Sequence, residues 1–305
     1  MFNEMRNDGG FEGNAQTLRQ LACLEKYTSA GHGMNPTRRF VLSVLKYPVV
    51  YSAFDVSGVA KPPKCFYGDE QPIVSWALDL FTPQDRELLQ SLDAKGKAAH
   101  RVFDCSLMEL ADDIAFGVHD LEDIVARRFA TKEQWKVALD KAFDPIGGSL
   151  HTDDGVLSSE IIARELFADS WQRKRLIGRL VNLFMAAARV IEKDEFTHPL
   201  LKFRVGLVGE HEALLTALKR MAFHLAIDKA AVQQLERRGR RVVQDVFRAL
   251  SEDPEHLVPN WHDTPSDWPQ PRRICDYVGG MTDAYAEKVY SRLFVPGSGS
   301  SLDEL

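Results

Sequence analysis

Apolar residues recur in steps of three and four over most of the chain, and the longest such run lies near its middle. Leu107, Leu110, Ala111, Ile114, Val118, Leu121 and Val125 fall on one face of a helix predicted over 106–128, because side chains three and four apart stack on one side of a 3.6-residue turn. Glu109, Asp112, Asp113, Asp120 and Asp123 fall on the opposite face, with Phe116 among them and His119 at its edge. An aromatic ring set among acids points to a face that looks into a pocket; a solvated acidic face is the competing reading. Asp112 and His119 are seven residues apart, which separates them by roughly 10 Å along the axis. Both cannot readily reach one metal ion with bonds of about 2 Å, so this helix is expected to offer a metal one carboxylate.

The same periodicity predicts helices on both sides of this one. A helix opens after Gly9-Gly10-Phe11-Glu12-Gly13 and continues through Leu21 and Leu24. A second has Asn35 as its cap and Pro36 in its first turn, buries Val41, Val44 and Leu45, and ends at Lys46-Tyr47-Pro48, where proline disfavours helix at the residue before it. Two short helices over 73–92 are separated by Thr82-Pro83, and further helices are expected at 131–143, 158–167, about 170–192, 210–227, 232–250 and from Arg273 onward. Loops are expected at 55–72 and 144–158, a short extended piece at 198–204, and a proline-rich connection at 253–272. The chain has no strand-rich segment, Walker loop or Rossmann glycine pattern. The expected fold is all-α, with one large helical domain over 1–295 and a disordered tail at 296–305.

Composition narrows the partners. A net charge of −6 argues against a generally basic nucleic-acid surface, although Arg237-Arg238-Gly239-Arg240-Arg241 and the cluster Arg173, Lys174, Arg175 and Arg179 are local exceptions. The first run suits a nucleic acid or an effector, the second a phosphate chain; for each, a solvated helix face is the plainer alternative. No apolar run reaches the roughly 18 residues of a membrane span, and the N-terminus shows no secretion signal. Cys23, Cys65, Cys105 and Cys275 are widely spaced, as in a cytoplasmic protein with reduced thiols. His100, alone before the central helix, is read as structural. Asn14 and Gln16 read as exposed amides at a helix start, and Lys46-Tyr47 as a pair that packs or holds an anion.

Four strings resemble one family. Glu109-Leu110-Ala111-Asp112-Asp113-Ile114-Ala115-Phe116-Gly117-Val118-His119-Asp120-Leu121-Glu122-Asp123 looks like the last metal-site helix of the deoxyguanosine triphosphate triphosphohydrolases of the HD superfamily. Gly9 to Arg19, Asn35-Pro36-Thr37 with Lys46-Tyr47-Pro48, and Asp276-Tyr277-Val278-Gly279-Gly280-Met281-Thr282-Asp283 are similar to other segments of that family, in the same order. The resemblance implies an HD-domain-like multi-helix globule with a C-terminal helical extension. The implied reaction is hydrolysis of a deoxynucleoside triphosphate, dGTP first, to the deoxynucleoside and intact triphosphate. By the same resemblance Asp112 is a ligand of a divalent metal, Mg or Mn, and Lys46, Tyr47, Lys64, Phe116, Asp120, Asn14 and Gln16 line the nucleotide site. Phe116 stands where the family usually has Tyr, so one hydroxyl is missing.

In that family a His, a His-Asp pair and the catalytic His and Glu precede these strings. Here no histidine occurs before His32, so the ligand set is incomplete and the catalytic residues are expected upstream. The chain is then either a shortened gene product or a non-catalytic relative. Two other classes stay open: a nucleotide-binding regulator or subunit without turnover, and a helical protein whose Arg237–Arg241 run binds nucleic acid. A homo-oligomer, a nucleic-acid effector and no membrane contact complete the expectations.

Overall fold

A computed structural model describes residues 1, 4–27, 33–56, 61–94, 96–152 and 155–299. In chain order its helices are α1 (Gly13–Arg19), α2 (Arg38–Val44), α3 (Gln71–Leu78), α4 (Pro83–Leu89), α5 (Phe103–Ala126), α6 (Lys132–Phe143), α7 (Ser159–Leu166), α8 (Ser170–Ala187), α9 (Pro199–Lys202), α10 (Gly209–Ala222), α11 (Ala230–Glu252), α12 (Pro254–Leu257), α13 (Gln270–Gly279) and α14 (Asp283–Phe294). Two hairpins accompany them, β1 (Ser149–Thr152) with β2 (Gly155–Ser158) and β3 (Arg189–Glu192) with β4 (Phe203–Gly206), each antiparallel. The fold is all-α with these two small additions. Contacts divide the chain into two compact units, Met1–Arg101 with Glu236–Leu305, and Val102–Leu235.

In the Val102–Leu235 unit, α5 lies at the centre of the core. Its Ile114, Val118, Leu121 and Ile124 share one buried cluster with Trp135 and Leu139 of α6, Leu176, Leu180 and Phe184 of α8, and Leu214, Leu215 and Leu218 of α10. Gly117 permits the closest approach: a Cβ there would stand 2.7 Å from Leu215 Cδ1. The predicted stripe fails at its N-terminal end, where Leu107 is 47 % exposed and Ala111 is also exposed. There β4 packs on α5, and Ser106 Oγ accepts from the Val205 amide at 2.8 Å. The first turns of α5 therefore bury Cys105 and Ser106 instead.

The expected loop at 144–158 contains the first hairpin, in which Leu150 and Leu157 face each other, both buried. The helix expected to reach Glu192 stops at Ala187, because Ala188 turns extended and the following residues pair with β4. Part of the stretch expected to be extended, Pro199–Lys202, is a single helical turn with His198 capping it through Leu200 N–H. Thr131 closes a reciprocal capping box with Gln134 at the start of α6.

In the unit of Met1–Arg101 and Glu236–Leu305, Met5, Val246, Phe247, Leu250, Trp261, Ile274 and Val278 belong to one core. Ala15, Tyr51, Cys65 and Tyr67 form a smaller cluster. The cap of α2 is Thr37, whose hydroxyl accepts from Phe40 N–H. Asn35 does not cap it; it sits two residues earlier in the left-handed region at φ 53°. The expected last helix is two, α13 and α14, broken at Gly280 to Thr282, where the Thr282 side chain caps the second through Tyr285 N–H. The tail expected to lack structure turns at Ser298, whose amide donates to Val295 O; residues 300–305 lie outside the described residues.

The close α5–α10 packing predicts opposite outcomes at two helical glycines. Gly117→Val should destabilise the fold by about 1–3 kcal/mol through overpacking. Gly178→Ala on α8 meets no atom within 4 Å and should stabilise it by up to about 1 kcal/mol through helix propensity. Circular-dichroism melting of both variants checks the pair; a Gly117→Val variant as stable as the wild type contradicts the packing.

Candidate functional site

The Lys46-Tyr47 pair and Lys64 are 17 positions apart and are brought together by backbone pairing. Val50 bridges Phe66, with the Tyr51 amide donating to Phe66 O at 2.8 Å and the Phe66 amide to Val49 O at 3.1 Å. Gln90 Nε2 donates to Pro48 O at 2.9 Å and holds the turn after Tyr47. Tyr47 is buried, and two cations approach its ring: Lys64 Nζ lies 5.7 Å and Arg101 Cζ 4.7 Å from the centroid. Lys46 is half-buried beside it. Cations over an aromatic face are held by its quadrupole, so the arrangement gathers positive charge, with Arg101 Nη1 also donating to Ala98 O and His100 O at 2.8 Å. Arg101 was not among the sequence candidates. Its position, between His100 and the start of α5, carries no periodic signal, and its relevance comes from a contact across 54 residues.

Asn14 and Gln16 lie in different surroundings. Two residues apart on a helix, they point about 200° apart. Glu12 caps α1, its Oε2 accepting from the Asn14 and Ala15 amides, and its Oε1 accepts from Asn14 Nδ2 at 2.6 Å. Gln16 is 7 % exposed, so it is not the surface amide expected: its Nε2 donates to Asp276 Oδ1 at 2.9 Å, and its Oε1 accepts from Tyr67 Oη at 3.3 Å. One turn further on, the buried Arg19 meets Asp276 through Nε and Nη2 at 2.8 Å and Glu70 through Nη1 at 2.6 Å. The Trp268 ring lies 4.3 Å from its Cζ. Asp276, Tyr277, Met281 and Thr282 of the C-terminal string line a cavity of about 580 Å³ together with Gln20 and Trp268.

One guanidinium here faces three carboxylates, Asp276, Glu70 and the more exposed Asp69, whose Oδ2 lies 3.7 Å from Nη1. Asp276 takes the bidentate contact, so Glu70 is an excess buried negative charge, and its Oε2 has no hydrogen-bond partner. Burial therefore pushes Glu70 up to about 7, although Arg19 pulls the other way.

In the other unit the acidic face of α5 holds the remaining candidates. Asp112 and His119 are exposed, and Phe116 and Asp120 are half-buried. Burial, then the neighbouring Asp123, raises the Asp120 carboxyl above its ordinary value. Asp113 is tied to Lys219 of α10. Among the described residues no three His, Cys, Asp or Glu side chains are grouped to hold a metal ion. The residues present therefore do not by themselves fit a divalent metal; Asp112 offers it one oxygen donor.

Residues 205–292 match the description of a phosphohydrolase-associated domain. Across almost the whole chain, relatives carry one name. Deoxyguanosinetriphosphate triphosphohydrolase-like protein 2 of Deinococcus radiodurans is 37% identical over 98% of this chain and 71% of its own length. The deoxyguanosinetriphosphate triphosphohydrolase-like proteins of Shewanella sediminis and Actinobacillus succinogenes are 36% and 35% identical, over 98% and 95% of this chain and 72% and 69% of theirs. The chain belongs to the deoxyguanosinetriphosphate triphosphohydrolase-like family, a family of phosphohydrolases.

The excess charge at Glu70 has a pH signature. Its raised value, from 4.5 to about 7, means the folded protein holds the proton more tightly than the unfolded chain. The stability this contributes is full below pH 4.5 and is lost as pH rises through about 7. The Glu70→Gln variant cannot ionise there, so its melting temperature should match the wild type near pH 4.5 and exceed it increasingly toward pH 8. Parallel melting curves across that range would show that Glu70 is ionised throughout.

Proposed function

We propose that this protein acts on deoxynucleoside triphosphates, with dGTP the first substrate to test, and releases the intact triphosphate. Lys64 and Arg101 at the Tyr47 ring, with Lys46 next to Tyr47 in the chain, take the triphosphate, and the pair of cations on that ring is the observation that carries the reading. It supplies several positive charges at one place, and a leaving triphosphate needs its growing negative charge neutralised there. Phe116 offers a ring face to the nucleoside without the hydroxyl that tyrosine would add, and Asp120 stands one turn beyond it. Asn14 acts at the opening of α1, while Gln16 acts by fixing Asp276. Asp112 serves as an oxygen ligand of a divalent metal, the role the family resemblance implies.

Nucleotide binding without turnover is the second reading, favoured by the lack of a three-ligand group among the described residues. The nucleic-acid reading loses ground. Arg238 pairs with Glu287, Arg240 with Glu236 and Arg241 with Asp245, so most of that basic run is already matched by acids of this chain.

Triphosphate release from dGTP with Mn²⁺ tests the proposal, comparing residues 1–305 with a protein extended at its N-terminus by a segment carrying the His and His-Asp motifs. The extended protein should release triphosphate, and residues 1–305 alone should be slow or silent, since one carboxylate cannot replace a preorganised ligand set. In the extended protein Asp112→Ala should abolish release, and Lys64→Ala should lower kcat/KM at least tenfold. Release by residues 1–305 at the full rate, insensitive to Asp112→Ala, would contradict the assignment of the site.

A further inference from the structure

The sequence cluster Arg173, Lys174, Arg175 and Arg179 is divided by the fold. Arg175 is engaged by Glu165 at 3.8 Å and by the Trp171 ring at 5.3 Å. Arg173 instead joins a pocket of about 470 Å³ at the corner between α5 and α6, whose lining includes Arg128, Lys132, Gln134, Phe129 and Phe167. That volume suits a small ligand. No Asp or Glu is among the lining residues. Glu133, the nearest acid in sequence, is engaged by its own amide and the Thr131 hydroxyl, and more weakly by the charge of Lys132.

The donors are in place and partly fixed. Arg173 donates Nε to Leu166 O at 2.9 Å and Nη2 to Ala168 O at 3.4 Å, which anchors the guanidinium at the end of α7. Gln134 spends only its Oε1, which accepts from the Thr131 amide, so its Nε2 remains a donor. Phe129 and Phe167 are half-buried, and Phe167 is held edge-on by Trp135 at 6.1 Å between centroids. Three cations in a lining that holds no carboxylate, one amide donor and two aromatic rings match a chain of phosphates with room for a flat ring.

We propose that this pocket binds a polyphosphate anion, either free or as the phosphate chain of a nucleotide. It uses none of the residues assigned to the substrate above. Val125 on its lining is five residues beyond Asp120 on α5, roughly 8 Å along the helix axis. The cations here are not those assigned to the substrate, so occupancy is proposed as a second binding event.

Titration calorimetry of the whole chain with inorganic triphosphate, in a buffer free of divalent ions, tests this. The Arg128→Ala/Lys132→Ala variant should lower the affinity of one site at least tenfold, and Lys132→Gln should do so to a smaller degree; both side chains are exposed, and a melting curve confirms that the variants fold. The Lys46→Ala/Lys64→Ala variant should keep this site. Titration with dGTP identifies the source: if Phe129→Ala weakens dGTP but not inorganic triphosphate, the occupant is a nucleotide, and if it weakens neither, the occupant is free polyphosphate. Unchanged triphosphate binding in folded Arg128→Ala/Lys132→Ala, or loss of all binding in Lys46→Ala/Lys64→Ala, overturns the pocket. The second of those results would leave the substrate reading standing.

Discussion

Burying a guanidinium requires hydrogen-bond acceptors brought out of water with it, and in the unit of Met1–Arg101 and Glu236–Leu305 that requirement organises the structure. Arg19 is 1 % exposed, and its partner Asp276 is 257 residues away. An unpaired buried charge would cost several kcal/mol, so the segment holding Arg19 and the segment holding Asp276 are obliged to meet. Arg272 repeats the device one turn earlier: its Nη2 donates to Gly9 O and Gly10 O at 2.9 Å, and its Cζ lies 3.8 Å from the Tyr67 centroid. Gly10 suits this place for two reasons, a φ of 75° and a Tyr51 ring that would stand 2.3 Å from any Cβ. Two of the four family-like strings are thus neighbours through charge-assisted hydrogen bonds.

From that frame the cations at the Tyr47 ring acquire their positions. Tyr67 accepts from the Glu12 amide at 3.1 Å, which fixes the segment 65–67 against the start of α1. The same segment pairs with Val49–Tyr51, and Lys64 is delivered to Tyr47 as a result. In the Val102–Leu235 unit the constraint is steric instead: α10 can approach α5 only where Gly117 leaves room, and that packing sets the acidic face of α5 outward.

Helix periodicity made the all-α fold and the buried face of α5 readable from Ile114 to Val125, where one side chain in three or four meets a continuous core. The rule failed at Leu107 and Ala111 because a strand, not a helix, covers that end, and a strand packs on a different subset of residues. Four-residue hairpins such as Ser149–Thr152 with Gly155–Ser158 are too short for alternation to stand out against helix spacing. Capping chemistry was legible at Thr82 and Thr131 but misplaced at Asn35, since Asn35 and Thr37, two positions apart, are both capping types and only backbone geometry decides between them. Lys46, Tyr47 and Lys64 were found by resemblance. Arg101 and the Arg128–Lys132–Arg173 pocket were not, because each depends on contacts between segments with no shared local pattern.

Release of the triphosphate whole, as proposed above, requires water to attack the α-phosphorus and break its bond to the deoxyribose oxygen. The most direct measurement is the fate of solvent oxygen. When the active protein hydrolyses dGTP in ¹⁸O-labelled water, attack at phosphorus places one ¹⁸O in the released triphosphate and none in the deoxyguanosine, as read by mass spectrometry of both products. Label in the deoxyguanosine, or release of pyrophosphate or single phosphate in place of triphosphate, would contradict the account.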